Sequence, residues 1–436
     1  MRSRSAGVAT ALAVFALAAG CSATRIAHDR SGSPPSAATK PETLPPPSAS
    51  EPGDAAAWVD LGDALIQKAR ETADASQYGR AEEAYRKALS LDARSTAALA
   101  GMAWVAGSRH EFEQSVEWAK KAIALDPDNS TSHGLLGDAA LELGDYTAAF
   151  RSYQRMLDIR PDLSSYSRGA YLLYLTGDVR RATWLMQKAI DAGAPYAENT
   201  AWCKEQLALM LWHTGSLMAA EGVLERALES SRRNHHLLAA MGRVKASRRD
   251  FSTAIDYYRR AIAIAAEPEV VIALGDVYTA AGQPDQAEKQ YALLQAIHAE
   301  NRANGVRDEL LMARFHVNHD QQLGAALEQT EQLYRVRRNV FVADALAWSL
   351  YKNARYEEAK RMIHAALEHG TPDASFRFHA GMIYAKLGER QAAKRYLYEA
   401  LSLNPGFHPL DATVAANTLK ELAANARPPP HTPPSR

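Results

Sequence analysis

Between His133 and Pro161 the apolar and small residues fall at three- and four-residue steps, break at Gly144-Asp145, and resume on the other side. Leu136-Gly137 is followed by Ala140 before the break; Ala149, Tyr153 and Met156 follow it, and Pro161 closes the stretch. Steps of this size place residues on one helical face, so the pattern predicts two amphipathic helices joined by a Gly-Asp turn. The same grammar recurs along the chain. It opens with Trp58, Leu61-Gly62 and Leu65, returns at Ala100-Gly101 and Trp104, and again at Gly169-Ala170 and Leu173. Further units centre on Leu207-Ala208, Met241-Gly242, Leu274-Gly275, Leu346-Ala347 and Ala380-Gly381. The unit between Asp308 and Asn339 is the weakest, with Ala326 and Leu333 but no glycine in its first helix. Gly242 and Gly275 stand about one 34-residue period apart.

Small residues where two helices cross let the backbones approach, and the large residue after them fills the adjoining groove. A single helix pair of this kind cannot bury its apolar face alone, so successive pairs must stack into a continuous core. Trp58, Leu61, Gly62 and Leu65 match the W-x2-L-G-x2-Y opening of a tetratricopeptide repeat. From about Ala55 to Phe407 the chain resembles that family, which implies an all-α, right-handed α-solenoid of about ten helix-turn-helix units. Pentatricopeptide arrays have similar periods but read RNA, which the balanced charge argues against. Sel1-type repeats carry longer glycine-rich turns that this chain lacks. Asp344–Ala359, Phe378–Glu389 and Leu403–Phe407 resemble the C-terminal segment of a broad set of bacterial tetratricopeptide proteins.

The N-terminus reads as an address. Arg2 and Arg4 precede an apolar run from Ala6 to Gly20, too short for a permanent span and followed at once by Cys21. Leu17-Ala18-Ala19-Gly20-Cys21 resembles a bacterial lipobox, which implies lipidation at Cys21 and, with Ser22 next, an outer-membrane destination facing the periplasm. The expected organisation is a lipoprotein signal peptide at 1–20 and a Pro/Ser/Ala-rich disordered tether at 21–53. The solenoid follows at 54–408, then a capping helix and proline-rich tail at 409–436.

Lys+Arg and Asp+Glu are both 50, so the net charge is zero, and a non-specific nucleic-acid binder is not expected. Two cysteines, Cys21 and Cys203, exclude a disulfide framework. No nucleotide-binding, zinc-protease or serine-hydrolase motif is present, so no catalytic residue, cofactor or metal ligand is assigned. Cys203 reads as a core residue. His316 with His319, His235-His236, and the run Arg335, Arg337 and Arg338 read as solvated or capping positions. In the resembling arrays the first helix of each pair lines a concave groove. That geometry places Tyr171, Tyr174, Trp202, Trp212, Arg243, Trp348 and Tyr351 on the inner face, as candidate anchors for a partner's extended peptide or helix. Two functions follow as expectations. One is a non-enzymatic scaffold, lipid-anchored in the cell envelope, that binds other envelope proteins as an accessory to assembly, secretion or envelope biogenesis. The other is a glycan- or lipid-binding accessory of an envelope polysaccharide or cell-wall machinery, which requires Tyr171, Tyr174, Trp202 and Trp212 to be exposed together.

Overall fold

A computed structural model describes residues 54–193 and 197–424. Cys21, the expected signal peptide and tether, and the proline-rich tail lie outside the described residues. Twenty-one helices and no strand are found among the described residues. The first pair is α1 (Ala55–Thr72) with α2 (Ser76–Leu91), followed by α3 (Thr96–Ser108) with α4 (Phe112–Leu125) and α5 (Ser130–Leu143) with α6 (Tyr146–Ile159). Then come α7 (Leu163–Leu175) with α8 (Val179–Ala192), α9 (Ala197–His213) with α10 (Leu217–Ser230), and α11 (His235–Ser247) with α12 (Phe251–Ile262). The array continues through α13 (Pro268–Ala280) with α14 (Pro284–Ala303), α15 (Glu309–Asn318) with α16 (Leu323–Val336), and α17 (Val340–Lys352) with α18 (Tyr356–Leu367). It ends in α19 (Ala374–Lys386) with α20 (Arg390–Leu403), and a single helix α21 (Asp411–Ala424). The weakly patterned eighth unit is therefore a genuine pair, with a first helix shorter than the rest.

In the first, third and seventh pairs the sequence dictates how the two helices close. Tyr85 is wedged so tightly between α1 and α3 that a Cβ on Gly62 would lie 2.5 Å from its ring, and one on Gly101 would lie 2.3 Å away. Tyr153 sits against Gly137, and Tyr291 against Gly275, in the same way. Each buried tyrosine needs an acceptor for its hydroxyl. The residue after the glycine supplies it: Tyr85 donates to Asp63 at 2.6 Å, Tyr153 to Asp138 at 2.8 Å and Tyr291 to Asp276 at 2.8 Å. A Gly-Asp dipeptide in the first helix and a tyrosine in the second thus form one clasp. Asp138 is used twice, since Arg168 of α7 also donates to both of its oxygens, at 2.9 and 2.8 Å.

The stack winds back on itself. First helices in units three to five end where loops leading into later first helices begin, between 192 and 198 residues further on. The last carbonyls of a helix have no partner inside it. Here they are capped across that interval: Arg307 N–H donates to Arg109 O at 3.1 Å and Arg338 N–H to Leu143 O at 3.0 Å. Asn339 Nδ2 donates to Glu142 O at 2.7 Å, and Asn404 Nδ2 to Trp212 O at 2.8 Å. Asn339 works in both directions, because its Oδ1 also accepts from Phe341 N and Val342 N and so caps the start of α17. Gly144 carries φ of 90°, a left-handed turn that favours glycine, and a Cβ there would lie 2.6 Å from the Arg338 backbone. Around these bonds Leu141, Tyr174 and Leu175 join Val340, Phe341 and Phe376 in one apolar cluster.

At the far end the same closure is ionic. Asp276, already holding Tyr291, also meets His319 Nε2 at 2.8 Å and His408 Nε2 at 3.2 Å. Against the opposing effect of burial, Asp411 and Asp276 push His408 up to about 10. Helix α21 then covers the last pair, with Ala412 and Ala415 packed alongside Phe378 and Phe407.

Replacing Asn339 by alanine removes both a helix cap and a buried donor, and is expected to cost about 2 kcal/mol. Asn339→Asp keeps the cap but loses the donor to Glu142, so in denaturant titrations it should recover no more than part of that loss. Full recovery by the aspartate variant would show that the bond across the turn contributes nothing.

Candidate binding chamber

Winding back encloses the concave faces of the early units around a cavity of about 220 Å³. One water needs roughly 15 Å³ by the same kind of measure, so a small organic group fits. Residues one helical turn apart build its wall. On α9 these are Trp202, Glu205, Gln206 and Leu209; on α5 they are Leu135, Asp138, Ala139 and Glu142. Helix α11 contributes His235, His236 and Arg243, and the start of α13 contributes Glu269 beside Glu267.

Ionic groups crowd this wall. Arg70 of α1 pairs with Glu198 of α9 at 2.6 Å, and Arg337 with Glu142 at 2.5 Å. Glu205 shares the Arg243 guanidinium with Glu269. Glu205 also lies 3.7 Å from His236 Nδ1, and burial together with the His235 and Arg70 charges drives His236 well below the usual imidazole range. Burial, with repulsion from Glu267 and partial relief from Arg243 and His235, raises Glu205 to about 7. Burial and the same Glu267 raise Glu269 to about 7. The His235 and His236 rings are tilted at 38° with centroids 3.9 Å apart, and His235 Nε2 has no hydrogen-bond partner.

Of the seven residues expected on the groove, Trp202 and Arg243 line this chamber. The other five do not. Tyr171 and Tyr174 are 4% and 3% exposed, and Tyr174 donates to Pro372 O at 3.3 Å across the closure. Trp212 donates to Ser247 Oγ at 2.6 Å and lies 5.5 Å from the Arg243 guanidinium. Trp348 is stacked between Tyr351 at 4.5 Å and His379 at 4.2 Å. In front of Tyr171, Tyr174 and Trp212 stands the returning turn, whereas Trp348 and Tyr351 belong to that turn and pack on each other and on α19 beside them. The four-residue exposed platform that glycan stacking requires is therefore absent.

Two positions expected to be solvated also need correction. Arg337 is buried, pairs with Glu142 and lies 4.6 Å over Phe112. His235 is a buried wall residue, whereas His319 does cap α15, with Nδ1 on Phe315 O at 2.8 Å, and is also an ion-pair partner of Asp276. Cys203 is fully buried, and burial pushes its thiol up to about 12, far from a reactive thiolate. No cluster of metal-ligating side chains and no helix long and apolar enough to cross a membrane occurs among the described residues. The chamber acids escaped sequence reading because single charged residues on a helix ordinarily mark its solvated face. Spacing held the usable signal: Trp202, Glu205, Gln206 and Leu209 trace one face of α9.

Comparison with known proteins agrees with the architecture. Family models described as tetratricopeptide repeat match residues 101–164 and 374–407. A curated relative, the small glutamine-rich tetratricopeptide repeat-containing protein 2 of Mycosarcoma maydis, is 29% identical over 95 residues, or 22% of this chain. The chain spans about a quarter of that relative's length, 27%. Among solved structures, YrrB, described as a TPR protein with an unusual peptide-binding site, aligns at 19% identity and TM-score 0.29, covering 42% of this chain and 93% of its own. Yeast Tom70 aligns at 12% identity and TM-score 0.33, covering 85% of this chain and 96% of its own.

A carboxyl group whose folded pKa is raised destabilises the protein as pH climbs from its unfolded value through the folded one. Glu205→Gln should therefore match the parent at pH 4 and exceed its stability by about 2 kcal/mol at pH 8. Thermal unfolding midpoints across that range test this; a pH-independent difference would contradict the assignment.

Proposed function

We propose that this chain, whose repeats match tetratricopeptide models over residues 101–164 and 374–407 and whose helix pairs form the kind of array that mediates protein–protein interaction, is a non-enzymatic binding scaffold tethered to the bacterial cell envelope. The observation that supports this reading is the chamber, where first-helix faces from several units converge on one concavity. Partner segments enter there, while the aromatic stretch further along serves to close the superhelix. The Cys21 lipid anchors the chain in the outer membrane, and the segment at 21–53 holds the solenoid away from the bilayer. Its role is that of an accessory to assembly, secretion or envelope biogenesis, gathering other envelope proteins at the membrane surface.

Labelled palmitate should enter the wild-type chain and be absent from Cys21→Ser. Cross-linking in cells should capture a defined set of envelope proteins with the wild type, and lose it when Cys21→Ser mislocalises the scaffold. Labelling that persists in Cys21→Ser sinks the anchor; a wild-type bait without envelope partners sinks the scaffold.

A further inference from the structure

The chamber wall carries more negative charge than its own residues neutralise. Glu205, Glu267 and Glu269 gather there, with Glu267 close enough to repel both of the others. Arg243 is the guanidinium that offsets Glu205 and Glu269, and it is already drawn toward the Trp212 ring. Arg70 and Glu198 spend their charges on each other. Arg307 stands at the rim with an exposed side chain, and Asp308 is held by His298 at 2.7 Å and Asn301 at 3.2 Å. Glu205 is buried and Glu267 and Glu269 are half-buried, and carboxylates withdrawn from water with a single guanidinium among them carry a desolvation cost that a further positive group offsets.

A second feature of the wall is independent of the acids. His235 is 5% exposed, and its Nε2 has no hydrogen-bond partner, with the nearest ionic group, Glu267, at 3.5 Å. Arg70 is 6% exposed, and its Nε likewise has no partner. An imidazole nitrogen and a guanidinium N–H, both buried at a cavity without a hydrogen-bond partner, are polar groups that a ligand can satisfy. Trp202 and Trp104 supply aromatic surface to the same space. Aromatic faces attract cations, and carboxylates bind them directly.

We propose that this chamber is a cation-binding site for an ammonium or guanidinium group, held by Glu205 and Glu269 against the Trp202 wall. Such a group comes either from a lysine or arginine side chain on an inserted peptide or from a free small amine. A peptide-borne cation also brings backbone carbonyls, for which Arg70 Nε is a donor. The inference draws on the scaffold reading only for the source of the cation.

The test is calorimetric titration of the full purified chain with three probes: n-pentylamine, an end-blocked Ala-Ala-Lys-Ala-Ala peptide, and the same peptide with norleucine in place of lysine. The lysine peptide should bind at least tenfold more tightly than its norleucine counterpart. The double variant Glu205→Gln, Glu269→Gln should lose at least tenfold of that binding while keeping its far-ultraviolet circular dichroism and its cooperative melting. Pentylamine binding as tightly as the lysine peptide assigns the site to free amines; binding of the peptide alone assigns it to partner side chains. Equal binding of the norleucine peptide, undiminished binding by a folded double variant, or no binding of either cation overturns the proposal. Partner capture in cells is read separately, so failure of the cation site leaves the scaffold reading standing.

Discussion

Everything else in the molecule depends on how the orphan carbonyls at the ends of its first helices are satisfied. In an open solenoid those groups face water. Here Asn339 and Asn404 reach back almost two hundred residues to cap Glu142 and Trp212, while Arg307 and Arg338 do the same through backbone N–H groups. A repeat array is ordinarily quasi-one-dimensional, each unit touching only its neighbours. This closure adds long-range contacts that couple the third, fourth and fifth units to the ninth and tenth. Local opening of one should therefore be felt in the other.

Closure also decides what the concave face is for. Tyr171, Tyr174 and Trp212 stand on helices that line a groove in an open array, yet the returning turn packs over them, while Trp348 and Tyr351, part of that turn, pack on each other and on α19. What remains accessible is the chamber, whose wall mixes aromatic surface with carboxylates that have too few cations. The cost of that charge is visible in Glu205 and Glu269, both raised to about 7 by burial and by Glu267. A binding site is a reasonable place to carry such a cost, because a ligand of opposite charge repays it.

The pairwise architecture was legible in the sequence because it is written locally. Glycine, alanine and tyrosine recur at fixed steps, and Gly137 against Tyr153 needs only residues of one unit. Even the weak eighth unit, without the glycine, forms a pair. Closure was not legible, because it depends on the pitch of the whole stack and not on any motif. Asn339 reads as a helix cap, which it is, and nothing near it in sequence reveals Glu142 as its second partner. The same blindness misplaced Arg337, whose carboxylate partner lies 195 residues away. Of the chamber, Trp202 and Arg243 were found from their helix position, whereas the acids were hidden by their resemblance to ordinary solvated charges.

The most direct test of closure is native-state hydrogen exchange at the amides of Arg307 and Arg338, since each donates to a carbonyl one superhelical turn away. Closure predicts exchange on the order of a hundredfold or more slower than in a free chain, with protection at both sites falling together in Asn339→Ala. Exchange at free-chain rates in the folded protein would mean that the two turns do not meet, and that the chamber is an open groove.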